Sequence, residues 1–307
     1  MKIVAVEPLG INAEREEEIK AMLKLEGHDF VLFHDRVEEP DVLVQRIGDA
    51  EMVMVSNIPL PAGVLSCCPK LKFLNVAFTG LDHIDMDFCR ERGIKVRNAS
   101  GYATEAVAEL AVALMLDVYR KVSELDGKIR NGGVRGAFLG FELKGKTVGI
   151  VGTGAIGLRT AEILKAFGCE VVGWSRTERS EFTDMGFSYV GLDELMASSD
   201  IISLHVPLTP ETYHLIDAKL LSLCKKSAIL VNTARGNVVD MDALAAALKA
   251  GNLHGAGIDV FEKEPPIPEN HPLVSSPNCV LTPHVGYATR EAFDSRIGII
   301  LDNISKF

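Results

Sequence analysis

Three side chains able to bind an anion and move a proton follow predicted strands in the second half of the chain. Arg235 comes shortly after the apolar run 228–232, and Glu264 after the run 255–260. His284 ends a third segment, Thr-Pro-His. Carboxyl ends of parallel strands meet at one edge of a sheet, so we expect these side chains to converge. Each alone would pass for a structural or surface residue, but the three together predict a catalytic site.

A glycine-rich turn lies upstream of these residues. The apolar run 147–151 leads into Gly-Thr-Gly-Ala-Ile-Gly (152–157), and a helical pattern covers 158–167. In such a strand-turn-helix unit the glycines permit the tight turn, the approach of a pyrophosphate and close helix packing. The alternative is a ligand-free turn, which the strand and helix context disfavours. We therefore predict a dinucleotide site whose cofactor-binding residues are Gly152, Gly154, Ala155, Ile156 and Gly157.

The second strand of this unit is predicted over Cys169 to Trp174. The residues at its end should determine whether the protein prefers NAD(H) or NADP(H). A carboxylate there binds the ribose 2′-hydroxyl and repels a 2′-phosphate, but this chain has Ser175 and Arg176. Glu170 lies at the start of the strand, far from the expected ribose. Ser175 and Arg176, with Arg179 nearby, favour NADP(H) over NAD(H). The alternative is that the arginines are only solvated loop charges.

Composition excludes several classes of protein. The chain has 307 residues, 47% hydrophobic and 24% charged, with a net charge of -10. This acidity argues against nucleic-acid or anionic-membrane binding, and no apolar run approaches the roughly 18 residues of a membrane span. The six cysteines show no metal-ligand spacing, and we see no signal peptide. We expect reduced thiols in a cytoplasmic protein without a metal site.

Strand and helix patterns alternate along the whole chain, which predicts parallel, doubly wound sheets. Phe78, Thr79 and Gly80 follow the predicted strand 71–77 and are candidates for a substrate loop in which Gly80 could offer a backbone N–H to an anion. From this stretch alone, a plain strand-to-helix turn is the default interpretation. The first-half strands are predicted at 2–6, 30–33, 52–55 and 71–77, with helices at 13–25 and 42–47. The second-half strands are predicted at 201–205, 228–232 and 255–260, with helices at 218–223 and 241–250.

Two further segments separate these halves. The helix predicted over Ala106 to Arg120 is apolar almost all round, so it lies in the core or at an oligomer interface, and we favour the interface. Residues 127–140 are glycine-rich and predict a loop or hinge.

Several motifs, in this order, resemble those of the D-isomer-specific 2-hydroxyacid dehydrogenases. The resemblance covers essentially the whole chain. It implies a Rossmann dinucleotide-binding domain, residues 101–284, inserted into a flavodoxin-like substrate domain, residues 1–100 plus 285–307. It also implies a homodimer formed through the helix near Ala106. The motifs are Gly-Leu-Asp-His-Ile-Asp (80–85), Gly-Tyr-Ala-Thr-Glu-Ala-Val-Ala-Glu (101–109), Val-Gly-Ile-Val-Gly-Thr-Gly-Ala-Ile-Gly (148–157), Asn-Thr-Ala-Arg-Gly (232–236), Gly-Ile-Asp-Val-Phe-Glu-Lys-Glu-Pro (257–265) and Thr-Pro-His (282–284).

The same resemblance implies a mechanism. Arg235 would grip a 2-oxo acid through its carboxylate and carbonyl oxygen. His284 would give its proton to that carbonyl oxygen while the nicotinamide delivers a hydride, and Glu264 would pair with the other ring nitrogen. The backbone of Thr79 and Gly80 would help to hold the carboxylate. Asp259 would meet the nicotinamide carboxamide, Thr233, Ala234 and Gly286 would line that end of the cofactor, and the adenosine side would be lined by His205, Val206, Pro207 and Thr212.

Departures from related proteins narrow the range of expected substrates. Formate dehydrogenases of this superfamily have glutamine where Glu264 stands, which disfavours that activity. Many phosphoglycerate dehydrogenases have arginine where Val76 stands, which disfavours a phosphorylated substrate. Phe78 makes part of the substrate loop apolar. The expected activity is that of an NADPH-using glyoxylate or hydroxypyruvate reductase. The alternatives are a D-3-phosphoglycerate, D-lactate or D-2-hydroxyisocaproate dehydrogenase, and a non-enzymatic dinucleotide sensor of the corepressor type.

Overall fold

The computed structural model describes residues 1–263 and 266–307 and divides the chain into two compact units. The terminal unit comprises Met1–Ala103 and Thr289–Phe307, and the central unit comprises Thr104–Ala288. These breaks fall a few residues after the expected boundaries at 100 and 284. Glu264, predicted from sequence to be catalytic, lies outside the described residues.

Strands and helices alternate along the terminal unit. In order they are β1 (Lys2–Ala5), α1 (Ala13–Leu25), β2 (Asp29–Leu32), α2 (Pro40–Ile47), β3 (Met52–Val55), α3 (Ala62–Ser66), β4 (Phe73–Val76), α4 (Met86–Arg92) and β5 (Lys95–Asn98). The strands pair in parallel in the order β2-β1-β3-β4-β5, which is the flavodoxin-like order. β3 and β4 are buried along their whole length, as expected for strands covered on both faces.

The boundaries of α1 agree with the predicted ones because both ends are capped. The side chain of Asn12 accepts a hydrogen bond from the backbone N–H of Arg15 at 2.8 Å. Beyond the last turn, Gly27 takes a φ of +79°, where the absence of a side chain lets the backbone turn out of the helix.

The central unit contains a longer parallel sheet. Its elements are α5 (Thr104–Arg120), α6 (Val122–Arg130), β6 (Thr147–Val151), α7 (Ala155–Ala166), β7 (Glu170–Trp174), α8 (Ser180–Asp184), β8 (Ser188–Tyr189), α9 (Leu192–Ser198), β9 (Ile201–Leu204), α10 (Ala218–Leu223), β10 (Ile229–Asn232), a 3-10 turn (Gly236–Val238), α11 (Met241–Lys249), β11 (Gly255–Ile258) and β12 (Cys279–Leu281). The strand order is β12-β11-β10-β9-β6-β7-β8. The prediction of two doubly wound parallel-sheet domains is thus confirmed.

The last helix, α12 (Arg290–Ser305), returns the chain to the terminal unit and packs on β4. The side-chain amide of Asn75 in β4 donates to the carbonyl of Ile300 at 2.7 Å. Phe307 stacks on Phe73 with ring centroids 4.7 Å apart. Across the described residues, none of the helices has both the length and the apolar composition needed to cross a bilayer.

One side of α5 belongs to the core of the central unit. Leu114, Met115 and Val118 are buried in one cluster with Val148 and Ile150 of β6. The apolar composition of this helix is therefore partly explained by packing within its own chain. The oligomer interface predicted for α5 would involve the other side of this helix, which is accessible to solvent.

The prediction of a loop over residues 127–140 is wrong for its first part. Helix α6 continues to Arg130 and includes Gly127, around which a side chain would meet open space. Val122, Leu125 and Ile129 follow a helical spacing in α6, but none of its residues is buried, and the glycines in and after the helix are typical of a loop in the sequence. Residues 131–140 are irregular, as expected.

Phe182 tests the packing of the central unit. Its ring is fully buried and contacts Tyr189, with ring centroids 4.9 Å apart. We expect Phe182→Ala to lower the free energy of unfolding by about 3 to 5 kcal/mol because it leaves a cavity. Urea unfolding followed by the fluorescence of the sole tryptophan, Trp174 in β7, measures this. The control Phe167→Ala, at a ring 43% exposed, should cost less than about 1 kcal/mol; equal losses in both variants would contradict this packing.

Candidate active site

The turn after β6 has no room for a side chain at its first and third glycines. Gly152 has a φ of +98°, and a Cβ there would lie 2.7 Å from the carbonyl oxygen of His205. A Cβ on Gly157 would lie 2.0 Å from the carbonyl oxygen of Gly152. At Gly154, in contrast, a Cβ would meet nothing within 4 Å. The first and third glycines allow α7 to pack against the strand, and the middle one faces open space that a ligand can enter.

The N-terminus of α7 lies at this turn. Gly154 is the capping residue, and within the described part of the chain no side chain accepts a hydrogen bond from the helix there. The first backbone N–H groups of an α-helix have no partner inside the helix. Those of Ala155 and Ile156 are therefore suited to bind phosphate oxygens at the positive end of the helix dipole.

The strand order places this turn where a ligand is expected. From β6 the chain first moves to β7 and β8 on one side, then returns to β9, β10, β11 and β12 on the other. Ligands bind in the crevice at such a switch point, beyond the carboxyl ends of the strands. The sheet order also confirms that the segments after β9 to β12 share this edge.

Ser175 and Arg176 lie at this edge, one strand away from the glycine turn, Ser175 half-buried and Arg176 exposed. Glu170 is exposed and pairs with Thr147, the first residue of β6, so it lies at the opposite end of the strands. The electrostatic field of Arg176 reaches Glu211, whose pKa is lowered first by a hydrogen bond from Thr209 and to a smaller extent by Arg176.

Tyr189 of β8 connects the loop after β7 to the glycine turn. Its hydroxyl accepts a hydrogen bond from the backbone N–H of Arg179 at 2.9 Å and lies 2.7 Å from the Oγ1 of Thr153. Thr153 is fully buried. The hydroxyl therefore connects the backbone of Arg179 to the glycine turn. Sequence reasoning missed Tyr189, since β8 has only two residues.

Two buried polar atoms at the ends of β9 and β10 lack a partner among the described residues. They are Nδ1 of His205 and Oγ1 of Thr233. The other ring nitrogen of His205, Nε2, lies 2.9 Å from the Oγ of Ser203. Burial lowers the pKa of His205 to about 4, so the ring is neutral near pH 7. Buried polar atoms are costly when unpaired, which fits a polar ligand at this edge.

The loop that follows β9 is closed by one hydroxyl. The Oγ1 of Thr212 donates to the carbonyl of Pro207 at 2.6 Å and accepts from the backbone N–H of Thr209 at 2.7 Å. Val206 is buried at the base of this loop. The predicted adenosine-side residues thus form one compact segment.

The position of Arg235 is set by its neighbours in the turn after β10. The side chain of Asn232 donates to the carbonyl of Arg235 at 2.9 Å and accepts from the N–H of Ala234 at 3.0 Å. A Cβ on Gly236 would lie 1.9 Å from the carbonyl carbon of Phe261, so only glycine lets this turn approach the segment after β11. Arg235 itself is half-buried.

Asp259 organises the loop that carries His284. One carboxylate oxygen accepts from the Oγ1 of Thr282 at 2.6 Å and the N–H of Val285 at 2.9 Å, and the other accepts from the N–H of Gly286 at 2.9 Å. The backbone N–H of His284 donates to the carbonyl of Asp259 at 2.8 Å. This role of Asp259 was not foreseen from sequence. Its contact with a nicotinamide carboxamide stays a prediction.

His284 has a backbone φ of +54°, uncommon for a residue with a side chain. Its ring meets that of Tyr287 edge to face, with centroids 5.5 Å apart. Strain of this kind persists only where surrounding bonds impose it, and here the bonds to Asp259 do so. Because β10, β11 and β12 are neighbours, Arg235, Asp259 and His284 follow three adjacent strands.

The predicted substrate loop, Phe78 to Gly80, follows β4 in the terminal unit. The carbonyl of Phe78 accepts from the N–H of Ala99 at 3.1 Å, and its ring meets Tyr102 edge to face. The guanidinium of Arg296 in α12 lies 5.3 Å from the centre of the Phe78 ring. Arg296 is buried, and nothing in the sequence marked it as a neighbour of this loop.

The pKa of His205 predicts a pH-dependent stability. Folding disfavours its protonated form, so between about pH 4 and its ordinary pKa of 6.5 the unfolded chain binds more protons. Stability should therefore fall as the pH drops through this window. Glutamine has no ring to protonate. We therefore expect the loss of folding free energy between pH 7 and pH 5 to be smaller in His205→Gln than in the wild type, by up to about 2 kcal/mol.

Urea unfolding of the wild type and of His205→Gln at the two pH values measures this difference. His34→Gln is the control, since its side chain is 70% exposed. The same pH dependence in all three proteins would contradict the burial of His205.

Comparisons with known proteins agree with this geometry. Residues 112–286 match the model of the D-isomer specific 2-hydroxyacid dehydrogenase, NAD binding domain. The chain is 43% identical to a glyoxylate reductase of Thermococcus litoralis over 89% of this chain and 82% of the relative. It is 46% identical to a glyoxylate reductase of Aeropyrum pernix over 80% of this chain and 76% of the relative.

A solved structure of similar fold is an acyclic imino acid reductase in complex with NADPH and D-Arg. It has a TM-score of 0.90 and 32% identity and covers 100% of this chain and 96% of its own. The chain therefore belongs to the D-isomer specific 2-hydroxyacid dehydrogenase family, which makes it an NAD(P)-dependent oxidoreductase whose central unit contains the NAD-binding domain.

Proposed function

We propose that this protein reduces glyoxylate and hydroxypyruvate to their 2-hydroxy acids, the D isomer where C2 is chiral. The observation that carries the proposal is the order of β10, β11 and β12, whose ends bring Arg235 and His284 to the edge where the glycine turn lies. The two archaeal glyoxylate reductases described above support the choice of substrate.

The central unit fits a dinucleotide on three observations. The glycine turn leaves open space at Gly154, the N-terminus of α7 has no side-chain cap among the described residues, and buried polar atoms of His205 and Thr233 lack partners there. When bound, the nicotinamide supplies the hydride that C2 of the 2-oxo acid receives. The residues proposed to hold the dinucleotide are Gly152, Gly154, Ala155, Ile156, Gly157, Ser175, Arg176, His205, Val206, Pro207, Thr212, Thr233, Ala234, Asp259 and Gly286.

Arg235 and His284 act on the 2-oxo acid in this proposal. The guanidinium of Arg235 binds the carboxylate of the 2-oxo acid and polarises its carbonyl. Because its N–H donors lie in one plane, the guanidinium can contact both groups at once and fix the orientation of the acid. The imidazolium of His284 donates a proton to the carbonyl oxygen as C2 receives the hydride. Glu264 pairs with the other ring nitrogen and holds the ring in place. In the oxidative direction His284 takes the proton back.

The terminal unit is the substrate domain in this proposal, and the central unit is the nucleotide-binding domain. The substrate loop offers the apolar ring of Phe78 and the backbone of Thr79 and Gly80. An apolar ring beside backbone hydrogen-bond donors is suited to bind a short 2-oxo acid, whose carboxylate would accept from the donors. We favour this substrate class over a phosphorylated or a longer aliphatic 2-oxo acid, and we favour an enzyme over a dinucleotide sensor. Among the described residues, no contact supports any of these alternatives.

NADP(H) is the preferred cofactor in this proposal. Ser175 can donate a hydrogen bond to a 2′-phosphate and Arg176 can pair with it, at a strand end without a carboxylate of its own. The hydroxyl of Tyr189 keeps this loop in place beside the glycine turn. The NADPH found in the acyclic imino acid reductase agrees with such a site.

A homodimer formed through the helix near Ala106 and a cytoplasmic location complete the proposal. The accessible side of α5 includes Glu109 and Ala113. Helix α6 and the segment after it carry exposed apolar side chains, among them Ile129 at 63% and Leu139 at 80% exposure. A second copy of the chain could bury these side chains. All six cysteines are free thiols, in keeping with a reducing compartment.

Replacing the proposed acid tests the function. We expect His284→Ala to lower kcat with glyoxylate by about 10²- to 10⁴-fold, because the carbonyl oxygen loses its proton donor. The Kd for NADPH should stay within about twofold of the wild type, since the imidazole does not hold the cofactor. Steady-state rates and fluorescence titration with NADPH measure the two quantities.

His34→Ala is the matched control, an exposed histidine whose ring also faces a carboxylate, that of Glu16. It should keep the full rate. Wild-type kcat in His284→Ala would show that another group delivers the proton.

A further inference from the structure

The carbonyl of Thr79 is held by a side chain from the neighbouring strand. The amide nitrogen of Asn98, the last residue of β5, donates to this carbonyl at 2.6 Å. β4 and β5 pair in parallel, with Val76 opposite Asn98, so Asn98 lies beside the loop that leaves β4. The backbone N–H of Ala99 holds the preceding carbonyl, that of Phe78, at 3.1 Å. Two successive carbonyls of the loop are thus bound by two successive residues of one strand end.

Asn98 is in turn fixed by α12. The side-chain amide of Asn303 donates to the backbone carbonyl of Asn98 at 3.2 Å and to the Oδ1 of Asn75 at 3.1 Å. Asn75 donates to the carbonyl of Ile300 at 2.7 Å. Asn75 is fully buried and Asn303 is 9% exposed. These three asparagines form a connected network, which gives Asn98 a defined position even though its own side chain is half-buried.

The bond to Thr79 determines the direction of the next N–H group. A peptide unit is planar and trans, so the carbonyl of Thr79 and the N–H of Gly80 point in opposite directions. Because Asn98 draws the carbonyl toward β5, the N–H of Gly80 points away from β5. Gly80 is half-buried and has no side chain of its own that could cover this N–H.

We propose that Asn98 is a positioning residue that orients the Thr79–Gly80 peptide so that its N–H binds the substrate carboxylate. The proposal rests on the proposed function, which makes this loop the substrate loop. Without the side-chain donor the carbonyl has no partner at β5, and the peptide plane can rotate. The N–H then loses its fixed direction, and the 2-oxo acid binds less tightly while the cofactor binds as before.

Two variants of Asn98 test the inference. Asn98→Ala removes the donor, and Asn98→Asp replaces it with a carboxylate of the same shape that cannot donate and repels the carbonyl. We expect the KM for glyoxylate to rise about tenfold in Asn98→Ala and further in Asn98→Asp, as for the loss of a hydrogen bond to a charged group. The KM for NADPH should stay within about twofold, and kcat should change less than the KM for glyoxylate.

Asn252→Ala and Asn252→Asp make the same changes at an exposed asparagine after α11 and should behave as the wild type. Thermal unfolding of all variants separates a loss of folding from a loss of binding. If both Asn98 variants fold and keep the wild-type KM for glyoxylate, the inference is overturned while the proposed function stands. If the KM values for glyoxylate and NADPH rise together, Asn98 is only structural. Absence of glyoxylate turnover in the wild type would overturn the proposed function and this inference with it.

Discussion

The close approach of β6, α7 and β9 at the glycine turn is the constraint on which the central unit depends. A single methyl group on Gly157 would overlap the carbonyl oxygen of Gly152, and one on Gly152 would overlap that of His205. Close packing brings the start of α7 to the edge of the sheet with its N–H groups free of side-chain caps within the described residues. The same edge carries the ends of β10, β11 and β12, so the groups proposed to bind phosphate and to transfer a proton lie at one edge of the sheet.

Loops at the carboxyl edges of both sheets are held by polar side chains from neighbouring strand ends. Asp259, after β11, binds the loop after β12 that carries His284. Asn98 of β5 binds the loop after β4. Glu7, shortly after β1, accepts from the N–H groups of Ser56, Asn57 and Ile58 after β3, at 2.7 to 3.1 Å. Each of these three polar side chains pairs with backbone groups of the neighbouring loop and thereby fixes the position of that loop.

Much of this organisation could be predicted from local sequence patterns. The glycine turn, the alternation of strands and helices and the capped helix α1 depend on residues near one another in the chain. Helix α6 was missed because the glycines in and after it are typical of a loop. The bonds of Asn98 to Thr79 and of Asp259 to Val285 join residues far apart in sequence, and they depend on strand register and loop geometry that no local pattern reveals.

Hydride transfer to a small 2-oxo acid is the central activity proposed for this protein. Initial rates of NADPH oxidation and, separately, NADH oxidation by the purified protein test it most directly, with glyoxylate, hydroxypyruvate, pyruvate and 3-phosphohydroxypyruvate as acceptors. The predicted result is a higher kcat/KM with NADPH than with NADH, and with glyoxylate and hydroxypyruvate than with the other two acids. Binding of NADPH without turnover of any of the four acids would contradict the account.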